Sequence, residues 1–140
     1  MTASFVEDDL REPKDSRLLH EQLTGTIIAA ATEVHRELGP GLLESAYQSC
    51  LSHELALRGV HLEAEVGLPV SYKDIRLDCG YRMDLVVEGK VVIEVKSVDR
   101  VLPVHQAQLL TYLRLSGLRV GLLINFNVRM LRDGVVRRIL

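Results

Sequence analysis

The chain is 140 residues long, 47% of them hydrophobic and 26% charged, which is typical of a soluble globular domain with its own core. The formal net charge of −2 does not point to a nucleic-acid-binding protein. No apolar run is long enough to cross a bilayer, and the first residues lack the basic and apolar regions of a signal peptide. We therefore expect a cytoplasmic protein without membrane contact.

Charge is distributed unevenly along the chain. Residues 1–15 carry five acidic and two basic side chains, whereas residues 114–140 carry six arginines against Asp133. The arginines could contact a phosphate backbone, or they could be solvated side chains on strand edges. Residues 1–16 also lack hydrophobic periodicity, so we expect a flexible acidic arm followed by a single domain over residues 17–140.

The two cysteines, Cys50 and Cys79, are isolated and form no C-x-x-C motif. This spacing argues against a disulfide framework or a thiolate metal site. We expect both thiols to be buried and reduced.

Two helices are predicted before the first strand. Apolar side chains recur at helical spacing over residues 17–38, until the Gly39-Pro40-Gly41 turn, and again over residues 42–58, until Gly59. His35, close to the end of the first helix, is expected to be a capping or surface residue rather than a catalytic one.

Glu44 and Tyr47 share one face in the first turn of the second helix. A glutamate at this position is favoured by the helix dipole and requires no active site. Tyr47 is expected to pack against the core and to orient a neighbour through its hydroxyl group.

Residues 62–72 and 75–79 are strand-like and are separated by a turn at Lys73 and Asp74. Glu65 is expected to be solvated, although it could reach a site at the end of the sheet. With the following hairpin, these strands should form an antiparallel meander.

Residues 81–96 are the most informative stretch for function. Two runs in which apolar and polar side chains alternate flank Glu88-Gly89-Lys90, and this pattern predicts a β-hairpin. With these residues as the loop, Asp84 lies opposite Glu94, and Lys96 follows on the same face. We call Asp84 and Glu94 the carboxylate pair. The opposite face is apolar and should be the core side: Met83, Leu85, Val87, Val91, Ile93 and Val95.

Opposed carboxylates on a sheet repel each other, so the pKa of one must rise unless a cation lies between them. Oxygen ligands suit a hard ion such as Mg²⁺ or Mn²⁺. The Lys96 ammonium could then hold a water molecule or stabilise charge on a phosphate. The pattern therefore indicates phosphodiester hydrolysis, although exposed strands also carry such charges without any site.

A third helix is predicted from Pro103 to the residue before Gly117. His105, Gln108 and Tyr112 lie on one stripe of this helix, and Gln108 and Tyr112 should face the carboxylate pair unless that flank faces solvent. The adjacent apolar stripe should pack on the sheet: Leu109, Leu110 and Leu113.

Residues 118–126 are almost continuously apolar, as in a buried strand, and residues 134–140 form a last strand. The strand, helix, strand order predicts a crossover. We expect an α/β (α+β) fold with a central mixed sheet, two N-terminal helices and one crossover helix.

The arrangement Asp84…Glu94-Val95-Lys96 resembles the D…(D/E)-x-K signature of the PD-(D/E)XK nuclease superfamily. The spacing of Gln108 and Tyr112 resembles the Q-x-x-x-Y element of its exonuclease-like members. Residues 41–47, Gly-Leu-Leu-Glu-Ser-Ala-Tyr, resemble the defining motif of the GxxExxY proteins, a family assigned to that superfamily. The resemblance covers about residues 20–140.

This resemblance implies a nuclease-like core and a Mg²⁺- or Mn²⁺-dependent hydrolase acting on DNA or RNA. Its implied metal ligands are Asp84, Glu94, Glu44 and the backbone carbonyl of Val95, while Lys96 positions the nucleophile and Gln108 and Tyr112 fix the site or the substrate. The alternative is a catalytically inactive module that retains the fold and binds nucleic acid or a protein partner, because a fold does not determine a function. A homodimer is also possible.

Overall fold

A computed structural model describes residues 19–140. The predicted acidic arm and the first two residues of the predicted first helix lie outside these residues. The elements are α1 (Glu21–Leu38), α2 (Glu44–Leu57), β1 (Leu62–Gly67), β2 (Val70–Tyr72), β3 (Ile75–Leu77), β4 (Arg82–Val87), β5 (Val91–Lys96), α3 (Pro103–Ser116), β6 (Val120–Asn125), a 3₁₀ turn (Leu131–Gly134) and β7 (Val135–Ile139).

Five strands form a mixed sheet in the order β1-β4-β5-β6-β7. β5 and β6 are parallel and are joined through α3, whereas the other neighbouring pairs are antiparallel. The predicted mixed sheet, the two preceding helices and the crossover helix are confirmed.

The two faces of the sheet are covered by different helices. α1 and α2 pack on one face, where Ile27, Ala30, Ala31 and Val34 follow the spacing of an amphipathic helix. α3 covers the other face through Leu109 and Leu113, with the half-buried Leu110 beside them. The central strands are therefore buried on both sides.

The predicted hairpin register is confirmed, because Val87 pairs with Val91 and Leu85 with Ile93. The prediction that Met83 shares the face of Leu85 is wrong, since Met83 packs in the cluster under α3. Glu65, the β1 residue opposite Asp84, has a φ of 54°, and the β1–β4 pairing skips this position. The strict alternation of faces therefore does not continue past Asp84.

The segment after β1 also differs from the prediction. β2 and β3 form a separate two-stranded sheet, and β1 pairs directly with β4. The expected burial of the cysteines is wrong, because Cys50 and Cys79 are both exposed and unbridged. Cys50 lies next to the buried face of α2, which Tyr47, Leu51 and Leu55 form. Cys79 lies in a segment that is exposed from residue 71 to residue 82.

Among residues 19–140, no helix combines the length and the hydropathy that a membrane crossing requires.

Candidate active site

The carboxylate pair bridges the two strands of the hairpin near one end of the sheet. The Asp84 N–H donates to Glu94 Oε2 at 2.8 Å, and the Val95 N–H donates to Asp84 Oδ2 at 2.8 Å. Glu94 is only 5% exposed, and Asp84 is half-buried. Each acid therefore has one oxygen held by the opposite strand, which fixes the orientation of both carboxyl groups.

The pKa values of both acids are raised, and burial contributes more to this rise than the repulsion expected from the sequence. Burial raises the pKa of Glu94 from 4.5 to about 8, and the negative charge of Asp84 adds to this rise. Burial also raises the pKa of Asp84, against the opposing effect of the Val95 N–H. At neutral pH and without a cation, the Glu94 carboxyl group therefore tends to retain its proton, which reduces the repulsion between the two acids.

Lys96 is the last residue of β5 and is half-buried. Its positive charge lowers the pKa of both carboxyl groups, yet within residues 19–140 it forms no ion pair with either acid at 4.0 Å or less. The backbone is held firmly here, because the Phe126 N–H donates to the Lys96 carbonyl at 2.9 Å. A fixed backbone and an ammonium group without a tight ion pair suit a lysine that reaches toward a substrate.

Asn125 holds the segment that follows Lys96. It is 2% exposed, and its Oδ1 accepts the Val98 N–H at 3.0 Å and the Asn127 N–H at 3.2 Å. Its Nδ2 donates to the Val98 carbonyl at 2.9 Å. The sequence does not indicate this structural role, because Asn125 is simply the polar last residue of an apolar strand.

Glu44 lies beside the same segment. It stands in the first turn of α2, and its Oε2 accepts the Ser97 N–H at 3.3 Å. Its charge contributes to the raised pKa of Asp84. The structure thus brings the predicted third acid close to the carboxylate pair, although its role as a metal ligand stays a prediction.

Gln48 and Glu65 complete the surroundings of Asp84. Gln48 Nε2 donates to the Asp84 carbonyl at 3.3 Å and to Glu65 Oε2 at 3.1 Å. The Glu65 charge contributes to the raised pKa of both members of the carboxylate pair. Gln48 was missed in the sequence, although its position one helical turn after Glu44 places it on the same face.

α3, which covers the face of the sheet opposite to α1 and α2, carries Gln108 and Tyr112. Gln108 Nε2 donates to the Tyr112 hydroxyl at 3.0 Å, and Tyr112 is 6% exposed. Burial raises the pKa of Tyr112, and the charge of Glu94 is the next contribution. The charges of Glu94 and Asp84 thus both act on Tyr112, while the predicted roles of Gln108 and Tyr112 at the site stay predictions.

The three residues whose roles the sequence left open have structural contacts. The Tyr47 hydroxyl accepts the Leu42 N–H at 3.1 Å and donates to the Gly39 carbonyl. The Tyr47 ring stacks on the Phe126 ring, with 4.5 Å between the ring centroids. His35 Nε2 lies 2.7 Å from the Val128 carbonyl oxygen. His105 Nδ1 accepts the Leu102 N–H at 3.0 Å and caps α3.

Several C-terminal arginines also have structural partners. Arg137 donates to the Leu19 carbonyl at 2.6 Å, Arg119 donates to the Leu140 carbonyl at 3.2 Å, and Arg138 contacts Gln106. These bonds account for three of the six arginines without a nucleic acid, and phosphate contact by this region stays a prediction.

The possible metal-ligand atoms of the carboxylate pair and its surroundings fit a hard divalent cation. All are oxygens, and the second oxygen of each member of the carboxylate pair accepts no hydrogen bond from residues 19–140. A cation would also relieve the repulsion between the two acids. Within the same residues, no three His, Cys, Asp or Glu side chains are arranged as a ready metal site. Such an ion would therefore retain water molecules or take a ligand from the substrate.

The fold and the centre define a class of protein: an α+β domain with two acids and a lysine at the end of a mixed sheet. A family model of the PD-(D/E)XK nuclease superfamily matches residues 21–139, and the chain belongs to this superfamily. Neither the curated proteins nor the solved structures include a match to this chain. The narrower resemblance to the GxxExxY proteins stays a prediction.

Proposed function

We propose that the protein is a divalent-metal-dependent nuclease that hydrolyses phosphodiester bonds in DNA or RNA. The observation that carries this proposal is the carboxylate pair, in which each acid accepts a backbone N–H from the opposite strand, followed by Lys96 at the end of β5. Membership of the nuclease superfamily supports it. We also place the chain among the GxxExxY proteins and in the cytoplasm, both on the basis of the sequence.

The ligands proposed for Mg²⁺ or Mn²⁺ are Asp84, Glu94, Glu44 and the Val95 carbonyl. When bound, the ion would supply positive charge to the carboxylates and to the phosphate undergoing attack. Binding would require Glu94 to lose the proton that its raised pKa retains at neutral pH. Metal affinity should therefore increase as pH rises toward 8.

Lys96 would position the attacking water and stabilise charge that develops on the phosphate. Its ammonium group forms no close ion pair with the carboxylate pair, so it can interact with a substrate without first breaking one. Gln108 and Tyr112 would position the substrate, and the hydrogen bond between them restricts both side chains.

One observation favours the alternative of an inactive binding module. Both acids already stabilise the hairpin, because each accepts a backbone N–H from the opposite strand. A scaffold without catalysis would therefore also benefit from Asp84 and Glu94.

The test incubates the full chain with labelled single- and double-stranded DNA and RNA, with and without Mn²⁺. A nuclease cleaves at least one substrate only with Mn²⁺, and Asp84→Asn abolishes cleavage while the matched surface variant Glu63→Gln does not. Calorimetry measures Mn²⁺ binding to the same proteins. Nucleic-acid binding without cleavage supports the module, and equal Mn²⁺ affinity of wild type and Asp84→Asn contradicts the metal site.

A further inference from the structure

An apolar cleft of about 540 Å³ lies between α3 and the segment that leads into β4. Its walls include Val70, Tyr81, Val104 and Leu115, and Tyr81 and Val104 are 46% and 64% exposed. This volume falls in the range of sites that bind small organic molecules. The cleft is thus large enough for a planar heterocyclic ring.

Three polar side chains also line the cleft: His105, Gln108 and Thr111. His105 Nδ1 accepts the Leu102 N–H, so the proton of the neutral ring lies on Nε2, which has no bonding partner among residues 19–140. Gln108 uses one N–H on Tyr112 and retains a second N–H and its carbonyl oxygen. The cleft therefore offers both donors and an acceptor beside its apolar walls.

Two aromatic side chains, Tyr81 and Tyr112, belong to the wall of the cleft. The Tyr81 and Tyr112 ring centroids are 6.5 Å apart with planes tilted by 60°. The charge of Glu94 also contributes to the raised pKa of Tyr112, after the larger effect of burial. Tyr112 packs in the same buried cluster as Met83, which directly precedes Asp84 in β4, so the cleft adjoins the candidate active site at Tyr112.

The charged side chains of the candidate active site lie outside the cleft. Among residues 19–140, no Asp, Glu, Lys or Arg lines the cleft, and the carboxylate pair and Lys96 lie outside it. A phosphate group therefore has no cationic partner among the side chains that line the cleft. An aromatic ring with hydrogen-bonding edges is the part of a nucleotide that matches an apolar wall with a few donors and acceptors.

We propose that this cleft, which we call the base cleft, binds an unpaired nucleobase of the substrate strand while the adjacent phosphate lies at the carboxylate pair. The inference rests on the proposed function and narrows its substrate class. Bases inside a duplex are stacked and paired, so a base can enter the cleft only from a single strand, a frayed end or a flipped nucleotide. The preferred substrate is therefore single-stranded nucleic acid.

The binding test uses fluorescence anisotropy without metal, so that no cleavage occurs. The probes are a labelled oligothymidylate, an abasic strand with the same number of phosphates, and the oligothymidylate paired with its complement. Stacking of one base on an aromatic side chain predicts roughly tenfold tighter binding of the oligothymidylate than of the abasic strand. The duplex should bind no better than the abasic strand.

Three tyrosine variants locate the effect. Tyr81→Ala should remove the preference for the oligothymidylate, and Tyr81→Phe should retain it because stacking requires the ring. Tyr72→Ala is the matched control, since Tyr72 is 60% exposed and lies outside the cleft. If Tyr81→Ala does not fold, Val104→Glu provides a second test by placing a carboxylate at the exposed rim, where it repels the strand.

Equal binding of the oligothymidylate and the abasic strand overturns the proposal, as does the absence of binding to either. An equal loss in Tyr81→Ala and Tyr72→Ala overturns it as well. A cleft that binds the apolar dye anilinonaphthalene sulfonate without competition from the oligothymidylate is a protein-docking groove, and this result also contradicts base binding.

Cleavage assays separate this proposal from the proposed nuclease function. Base-dependent binding without Mn²⁺-dependent cleavage contradicts the nuclease and supports the base cleft. Equal cleavage of single and double strands, unchanged in Tyr81→Ala, supports the nuclease and overturns the base cleft.

Discussion

Asp84 and Glu94 replace part of the backbone pairing between β4 and β5. Paired residues in the hairpin extend to Leu85 and Ile93, and the next two links are the 2.8 Å bonds from the Asp84 and Val95 N–H groups to carboxylate oxygens. The candidate catalytic acids are therefore also structural elements of the hairpin. Their protonation and the stability of the fold must be coupled.

Without metal, the free energy of unfolding should decrease as pH rises from about 4.5 to about 8. The pKa of Glu94 rises from 4.5 to about 8 on folding, so between these values the folded state retains a proton that the unfolded state has released. The destabilisation is absent below the lower value and complete above the upper one, on the order of a few kcal/mol. The raised pKa of Asp84 acts in the same direction. Urea unfolding at several pH values across this interval measures the slope of the free energy of unfolding against pH.

Two comparisons identify the group responsible for this slope. Glu94→Gln should remove most of the pH dependence, whereas the exposed Glu63→Gln should leave it unchanged. Mn²⁺ should stabilise the wild type more at the upper end of the interval, where Glu94 releases its proton more readily. A wild-type stability that is constant with pH would contradict the assignment.

Asn125→Ala should lower the free energy of unfolding by about 1–3 kcal/mol or more, because it leaves the Val98 N–H, the Val98 carbonyl and the Asn127 N–H without their partner. The control Asn127→Ala removes one long side-chain bond of 3.4 Å and should change stability by less than about 0.5 kcal/mol. Urea unfolding compares the two variants. Equal effects would show that Asn125 does not hold the segment after Lys96.

Features with a local cause could be predicted from the sequence. α3 extends from Pro103 to Ser116 as expected, because a proline favours the first helical position and Gly117 adopts the left-handed conformation, with a φ of 78°. The hairpin register follows from the three-residue turn, and it placed Asp84 beside Glu94. These signals depend on residues close together in the chain, so no tertiary information was needed.

Features that depend on packing could not be predicted. The exposure of Cys50 depends on how α2 rotates against the sheet, and Met83 lies under α3 because alternation is interrupted opposite Glu65. Gln48 approaches Asp84 only because α2 docks at that end of the sheet. The base cleft likewise combines α3 with residues that precede β4, and no motif in either segment indicates it.

Gly134→Ala and Gly25→Ala should have opposite effects on stability. A Cβ atom at residue 134 would lie 2.1 Å from the Asn125 carbonyl oxygen, and this backbone group cannot move without disturbing β6. We expect a loss of about 1–3 kcal/mol. Residue 25 lies in α1, and beyond its own helix backbone no atom of residues 19–140 comes within 4 Å of an added Cβ atom, so alanine should stabilise the helix by about 0.5–1 kcal/mol. Thermal unfolding of both variants measures the difference, and equal destabilisation would contradict the packing at residue 134.

Lys96→Met should reduce the cleavage rate on the order of a hundredfold or more, since it removes an electrostatic interaction that matters most during the chemical step. Substrate affinity should change far less, because methionine retains much of the apolar stem. Stability should hold or rise, because a half-buried charge is removed, although the carboxylate pair loses a nearby cation that lowers the pKa of both acids. Single-turnover kinetics and urea unfolding, with Lys73→Met as a surface control, separate these effects. Unfolding of Lys96→Met, or an unchanged cleavage rate, would show that Lys96 is a structural counter-ion for the carboxylate pair.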